Sequence, residues 1–497
     1  MLLTNGVNIL ITKKTLKMEF RVKKEVTLTK SQEFAAMELI DFIAAKFDVN
    51  DNIRALCGPG GTGKTFVTKY IIDNCKFSRS LIICAAPTHK ACRVLSQSIG
   101  MDTYTIQSLL GLRPNLALED FNPANPQFDP MGRNKLVNPE KLVKLLIIDE
   151  ASMLPAKMFS YITETCEQEQ IKLICIGDAS QLPPVNERYS IAFLNKKTYF
   201  LKEIVRQKAT NPITKLLAIL RQDIKNRQYS FLNYIIANPS SFNEIGEGYA
   251  VVGRQKFAEM VTEGFNDEEF TKNIDMYRLV AYTNIAVTSW NKFIRQIIIK
   301  DANRSILNKH DLIMSRKTIV DEFNTAILVN SEEYIINDII DFIDPVYEFK
   351  GMMVRFQSIH GGKITPPVFI VNHFDPLTIT KYYNIVNDLI SRAKSATTGR
   401  TSLWKKYYKF KRKYLICTNI VSPSDSNKIM MECDLDYGFA ITSHRAQGST
   451  YDNVYVDIND IVYDKTGMPY ANADEMLRRL YVACSRARKK LIMCYGR

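Results

Sequence analysis

No stretch of about 20 consecutive apolar residues occurs in the chain, so no segment reads as a membrane-spanning helix. Closely spaced cysteine pairs are missing too. The ten cysteines are scattered between positions 57 and 494 with no C-x-x-C among them, which argues against a zinc site and against a disulfide framework. Most lie inside apolar runs such as LIICAA and LICIGD, where a reduced thiol serves as a small core residue; a cytoplasm is the simplest setting. There is no internal repeat and no low-complexity tract. The opening stretch MLLTNGVNILI has neither a basic leader nor a small-residue cleavage site, so it reads as an extension, with Met18 a second candidate start. What is present is 497 residues, 46% hydrophobic and 24% charged, material for roughly three or four domains. The 66 Lys and Arg against 52 Asp and Glu leave +14, an excess that fits nucleic acid, an acidic membrane face or plain solubility.

From Thr29 to about Phe200, short apolar runs (IRALC, LIICAA, KLLIID, KLICIGD) alternate with helical patterns. Buried parallel strands of an α/β sheet read this way. Residues 111–141, rich in proline and without periodicity, read as a small insertion. The pattern is helical and strand-like again over 207–300, weaker and β-rich over 301–430, and α/β once more after Tyr437.

One loop carries chemistry by itself. Gly58, Pro59, Gly60, Gly61, Thr62, Gly63, Lys64 and Thr65 satisfy G-x-x-x-x-G-K-[ST] between a strand-like run and a helix whose Phe66, Val67, Tyr70 and Ile71 share one face. Glycines let backbone N–H groups close around phosphates at a helix N-terminus; the lysine reaches the terminal phosphates and the threonine hydroxyl binds Mg²⁺. A metal–phosphate site also needs carboxylates. Asp149 and Glu150 end the apolar run KLLIID, where Asp149 would hold the ion and Glu150 would orient or deprotonate the attacking water. Arg206 and Arg486 are candidates for the positive charge that the departing phosphate requires.

The order of these pieces resembles a known family, the superfamily 1 helicases, and within it the RecD-like and Dda-like members of subfamily B. Eight motifs follow in family order: LTKSQ (28–32), GPGGTGKT (58–65), APTHKA (86–91), IIDEASM (147–153), GDASQLPP (177–184), VRQ (205–207), AITSHRAQGST (440–450) and YVACSRAR (481–488). The resemblance implies two tandem RecA-like α/β domains with parallel sheets flanked by helices. The first would span 28–206, with a pin at 111–141; the second 207–300 and 431–497; an SH3-like β-rich insertion would fill 301–430, after an N-terminal extension over 1–27. NSEEY at 330–334 departs from the Asn-Gly turn expected there.

The resemblance also implies roles. Gln32 would contact adenine, Gln181 would sense the γ-phosphate, and Arg206 and Arg486 would face it across the cleft. Pro87, Thr88 and His89 in one domain, and Ser443, His444 and Arg445 in the other, would meet single-stranded DNA, with Gln447 and Gly448 linking strand to nucleotide. Phe121 or Phe128 would be the wedge of the pin. The activity implied is ATP- and Mg²⁺-dependent 5′ to 3′ movement on single-stranded DNA and unwinding of forked DNA by a monomer. A single-strand-binding protein or replisome components would be partners in replication, recombination or repair. A phage-encoded version would work in the host cytoplasm. A translocase that strips proteins without opening duplex is the alternative; a P-loop kinase and a scaffold with a dead ATP site fit the motifs less well. Outside the motifs, Trp404 to Tyr414 packs six cations and five aromatics into eleven residues. It reads either as a strand platform or, by its helical spacing, as a packed face with solvated lysines, and the spacing favours packing.

Overall fold

Each apolar run of the first half becomes a central strand because it is buried on both faces. The computed structural model describes residues 27–114, 128–130, 132–137, 142–184, 187–194, 196–205, 211–300, 302–321, 325–359, 361–421 and 429–496. The extension over 1–26, Phe121 and Arg206 therefore lie outside the described residues.

The first sheet has six strands in the order Thr103–Thr105, Ile82–Ala86, Leu145–Ile148, Lys172–Gly177, Ile53–Cys57, Lys197–Phe200. All its pairings are parallel. One face packs on helices Lys30–Ala44, Lys64–Asn74 and His89–Ile99 through Leu39, Ile43, Val67, Ile71 and Leu95. The other packs on helix Ala156–Gln168 through Phe159 and Ile162. The second sheet runs Ala440–Thr442, Tyr277–Ala281, Tyr451–Asp457, Ala487–Cys494, Gly248–Val252, Ser240–Phe242, parallel except for the last pair. These are two RecA-like α/β domains, each with its loops gathered at the C-terminal strand ends. All ten cysteines are free and nine are buried.

The third sheet is mostly antiparallel: Tyr414–Leu415, Val368–Val371, Lys350–Ser358, Glu333–Ile343, Leu312–Ser315, Leu435–Tyr437. Two features differ from the expected insertion. Strand Leu435–Tyr437, assigned by sequence to the second domain, pairs with Leu312–Ser315 and completes this sheet. Helix Pro376–Ser395 interrupts the expected β pattern and packs beside helix Arg400–Lys413, which follows the helical spacing read over Trp404 to Tyr414. The second and third sheets share one core, in which Phe257 and Leu279 join Leu312, Ile336, Val354 and Ile370. At the base of the 111–141 insertion, Leu112–Pro114 pairs antiparallel with Phe128–Pro130, so the backbone of Phe128 lies in a two-stranded ribbon opposite Pro114.

Candidate active site

A cleft of about 880 Å³ opens between the first and second sheets. Gly60, Gly61, Gly63, Lys64 and Thr65 line it from one side, with Asp149, Glu150 and Gln181; Gly448 and Arg486 line it from the other. The sequence motifs converge because parallel strands deliver their following loops to one edge. Gly63 caps the P-loop helix at φ 79°, a left-handed conformation that glycine adopts without strain. Lys64 Nζ donates to the carbonyls of Gly58 and Pro59, at 2.8 and 3.2 Å.

The two carboxylates differ in environment. Asp149 is buried and accepts from the Glu150 backbone N–H at 2.9 Å. Burial first, and then the Glu150 charge, push its carboxyl up to about 7, against the pull of Lys64. Glu150 holds φ 51°, a conformation uncommon outside glycine that clusters at functional sites. Its buried Oε2 and the buried Oε1 of Gln181 have no hydrogen-bond partner. Two unsatisfied acceptors in one cleft are costly unless a ligand supplies donors. A threonine hydroxyl and a buried carboxylate fit Mg²⁺, a hard cation that takes one or two protein oxygens and fills its shell with phosphate and water. Among the described residues no cluster of His, Cys, Asp or Glu could hold a metal alone.

Four residues singled out by sequence are engaged differently from expectation. Gln32 does not line the cleft. Thr29 and Gln32 form a capping box, with Gln32 Oε1 accepting from the Thr29 N–H at 3.0 Å, and its Nε2 donates to the Thr62 carbonyl at 2.9 Å. The T-x-x-Q spacing of LTKSQ carries that signal, and the amide is committed to bracing the P-loop instead of facing a base. Arg486 reaches the cleft wall, but its guanidinium donates to the carbonyls of Val482, Ala446 and Ser449 and to the Ser485 hydroxyl. It braces the loop carrying Gln447 and Gly448. On the P-loop helix the buried face is Val67, Thr68, Ile71 and Ile72, while Phe66 and Tyr70 turn into the cleft.

Sequence reading missed Arg488, which lines the cleft half-exposed and pairs with Asp452 at 3.0 Å. Its only signal is the alternation SRAR entering a strand. It also missed the hinge contacts. Arg478 donates to the carbonyls of Ala179 and Gln181, Tyr481 donates to Asp178 at 2.8 Å, and Gln447 Nε2 donates to the Leu182 carbonyl at 3.2 Å. Leu182 itself is buried in the second domain's core. The loop GDASQLPP is thus held by the opposite domain.

The strand-contact candidates sit at helix starts. Thr88 caps helix His89–Ile99 by accepting from the Ala91 N–H, and Pro87 and His89 flank it half-buried. Across the molecule, Ser443, His444 and Arg445 form the short helix Ser443–Ala446; the Ser443 hydroxyl is buried without a partner, and His444 tilts toward Tyr282. Burial lowers the pKa of both His89 and His444, so these rings act as neutral hydrogen-bonding groups at pH 7. Burial also brings Arg445 down to about 10, beside Arg316.

Family models match both halves of this cleft. One described as an AAA domain matches residues 40–233, and one described as a UvrD-like helicase C-terminal domain matches 437–494. The ATP-dependent DNA helicase Dda of Enterobacteria phage T4 is 25% identical over 65% of this chain and 68% of its own length. The ATP-dependent RecD2 DNA helicase of Deinococcus radiodurans is 32% identical over 32% of this chain and 20% of its own. The chain is thus similar to superfamily 1B helicases of the Dda and RecD kind. A crystal structure of Pif1 helicase from Bacteroides in complex with ADP-AlF3 and ssDNA overlays at TM-score 0.48 and 17% identity, over 94% of this chain and 92% of that one. No helix among the described residues of this helicase is long and apolar enough to cross a membrane.

Proposed function

We propose that this ATP-dependent DNA helicase moves 5′ to 3′ along single-stranded DNA and opens the duplex at a fork, one hydrolysis per step. The observation that carries the reading is the cleft itself: the P-loop and two carboxylates on one domain face Gly448 and Arg486 of the other. Lys64 leaves the Gly58 and Pro59 carbonyls for the terminal phosphates of ATP. Thr65 and Asp149 would hold Mg²⁺, which when bound would supply positive charge to the phosphates. Glu150 orients the attacking water and takes its proton through the unpartnered Oε2, while Gln181 senses the γ-phosphate through its donating amide Nε2. Arg206 and Arg486 are the proposed sources of positive charge for the departing phosphate, Arg486 by exchanging the Ala446 or Ser449 carbonyl for a phosphate oxygen.

Coupling follows from the hinge. Nucleotide binds between two domains, so it favours the closed arrangement and hydrolysis releases it. Arg478, Tyr481 and Gln447 grip the loop that holds Gln181, which supports transmission of that change to Ser443, His444 and Arg445. Opening each base-pair step costs about 1.4 kcal/mol of stacking, and the ribbon under Phe128, with Phe121, is the proposed wedge. Phe121→Ala and Phe128→Ala are expected to cut unwinding several-fold and to spare DNA-stimulated ATP hydrolysis; loss of both activities together would remove the wedge.

Strand separation on duplexes with only a 5′ or only a 3′ single-stranded tail, with Lys64→Ala as control, tests the whole reading. Opening of the 5′-tailed duplex alone is expected. Preference for the 3′ tail would overturn the polarity, and DNA-stimulated hydrolysis without opening would favour a protein-stripping translocase.

A further inference from the structure

Between strands Val368–Val371 and Tyr414–Leu415 the chain leaves the third sheet for a pair of packed helices, Pro376–Ser395 and Arg400–Lys413. The second helix sorts its side chains by chemistry. Trp404 and Phe410 are buried, and Lys411 is buried with them, donating to the Tyr382 hydroxyl at 2.9 Å and pairing with Asp434 at 3.3 Å. Tyr407 stands edge-on to both Trp404 and Tyr408. The aromatic rings are thus committed to packing.

The remaining arc is cationic. Lys405, Lys406, Lys409, Arg412 and Lys413 are all exposed, and the helix contains no acidic residue. At 100° per residue Lys405, Lys409 and Arg412 form one stripe, about 10 Å long, with Lys406 and Lys413 beside it. Among the described residues Lys405, Lys406, Lys409 and Arg412 make no ion pair, whereas Lys413 pairs with Asp344. Like charges four residues apart destabilise a helix, and a polyanion relieves them.

What the face lacks identifies the polyanion. Platforms for single strands stack bases on exposed aromatic rings; here Trp404 and Phe410 are buried, and Tyr407 and Tyr408 are half-buried and edge-on to each other, so no ring stands fully open to a base. A duplex hides its bases and presents phosphates, which cations alone can hold. We infer that the exposed face of helix Arg400–Lys413 docks on the phosphate backbone of duplex DNA, away from the nucleotide cleft. The inference rests on the helicase reading only for DNA as the partner, and its test needs no ATP.

Binding of a blunt duplex and, separately, of an oligo-dT strand is measured against salt concentration without nucleotide. Wild type is compared with the triple variant Lys405→Gln, Lys409→Gln, Arg412→Gln. Removing three phosphate contacts is expected to make the slope of log K against log salt shallower by about 2 to 3 for the duplex. Oligo-dT binding and oligo-dT-stimulated ATP hydrolysis should stay at wild-type level. Replacing both lysines with arginine keeps the charge and should keep duplex binding, which separates charge loss from misfolding. An unchanged duplex slope overturns the inference, as does an equal loss for oligo-dT or a loss confined to anionic phosphatidylserine vesicles. A wild type whose hydrolysis ignores oligo-dT, with the duplex slope still responding, would sink the helicase reading and leave the docking face standing.

Discussion

The nucleotide cleft and the junction of the three sheets both bury charge, and they treat it in opposite ways. In the cleft, Glu150 Oε2 and Gln181 Oε1 are buried without hydrogen-bond partners. At the junction, helix His89–Ile99 meets the third sheet, and every carboxylate meets a cation. Glu333 takes Lys90 at 3.1 Å and the fully buried Arg278 at 2.8 Å, the latter a charge contact outside hydrogen-bond geometry, and Glu332 takes Arg93. The Arg278 guanidinium also lies 4.6 Å over the Tyr451 ring. A buried charge costs several kcal/mol unless its partner is in place. The partner is therefore part of the fold at the junction, whereas in the cleft the two acceptors stay open to donors that the proposed nucleotide and its water would bring. One region is architecture and the other is a site, although sequence composition makes them look alike.

The largest effects that sharpen this contrast belong to the cleft. Lys64→Ala and Glu150→Gln should each lower ATP hydrolysis by at least about 10²–10³-fold in a steady-state phosphate-release assay, with the melting temperature little changed. A variant that kept a tenth of wild-type activity would break the comparison.

The junction should answer in the other currency, stability. Arg278→Met takes a fully buried cation away from Glu333 and should destabilise by about 3–5 kcal/mol, read by thermal melting. The triple variant Lys90→Met, Arg278→Met, Glu333→Leu, which removes the anion together with both of these cations, should recover most of it. ATP hydrolysis per folded molecule should not move in either.

Asp149→Asn should do both things in opposite directions. Burial raises the Asp149 carboxyl from 3.8 to about 7. Its protonated form thus stabilises the fold at acid pH, and that contribution is lost as pH rises from about 4 to 7. Without Mg²⁺ or nucleotide, the asparagine variant should melt about 1–3 °C higher at pH 8, with the gain shrinking toward pH 4, while hydrolysis is abolished. A lower melting temperature at pH 8 would contradict the assignment of burial as the cause. A smaller effect is expected at Arg93, a quarter exposed, where Arg93→Ala should cost about 1–3 kcal/mol, because buried Glu332 loses this cation but keeps the Ser358 hydroxyl as a donor.

Legibility in the sequence tracked the range of the physics. The P-loop was legible because glycine, lysine and threonine act within eight consecutive residues, on backbone geometry that the local sequence dictates. The strands of the first sheet were legible as apolar runs with turns after them. Gln32 shows the limit. Its place in the LTKSQ motif suggested a base contact, while the T-x-x-Q spacing in the same residues specifies the capping box that the fold contains. Arg486 likewise stood out as a cation, but its four acceptors are backbone and hydroxyl oxygens that only the folded loop assembles. NSEEY at 330–334 looked like a missing turn. Its two glutamates are the anions of the junction, whose cations come from positions 90, 93 and 278.

By itself, then, the sequence determined the nucleotide chemistry and the doubly wound α/β plan, since both depend on local spacing, on glycine's freedom and on apolar runs long enough for one strand. Only the tertiary structure decided which buried charges are neutralised by the fold and which await a ligand, which arginines brace and which line the cleft, and which strand completes the third sheet. Those outcomes depend on neighbours hundreds of residues apart, and a buried charge is stabilised or left unsatisfied by what lies within about 4 Å of it in space.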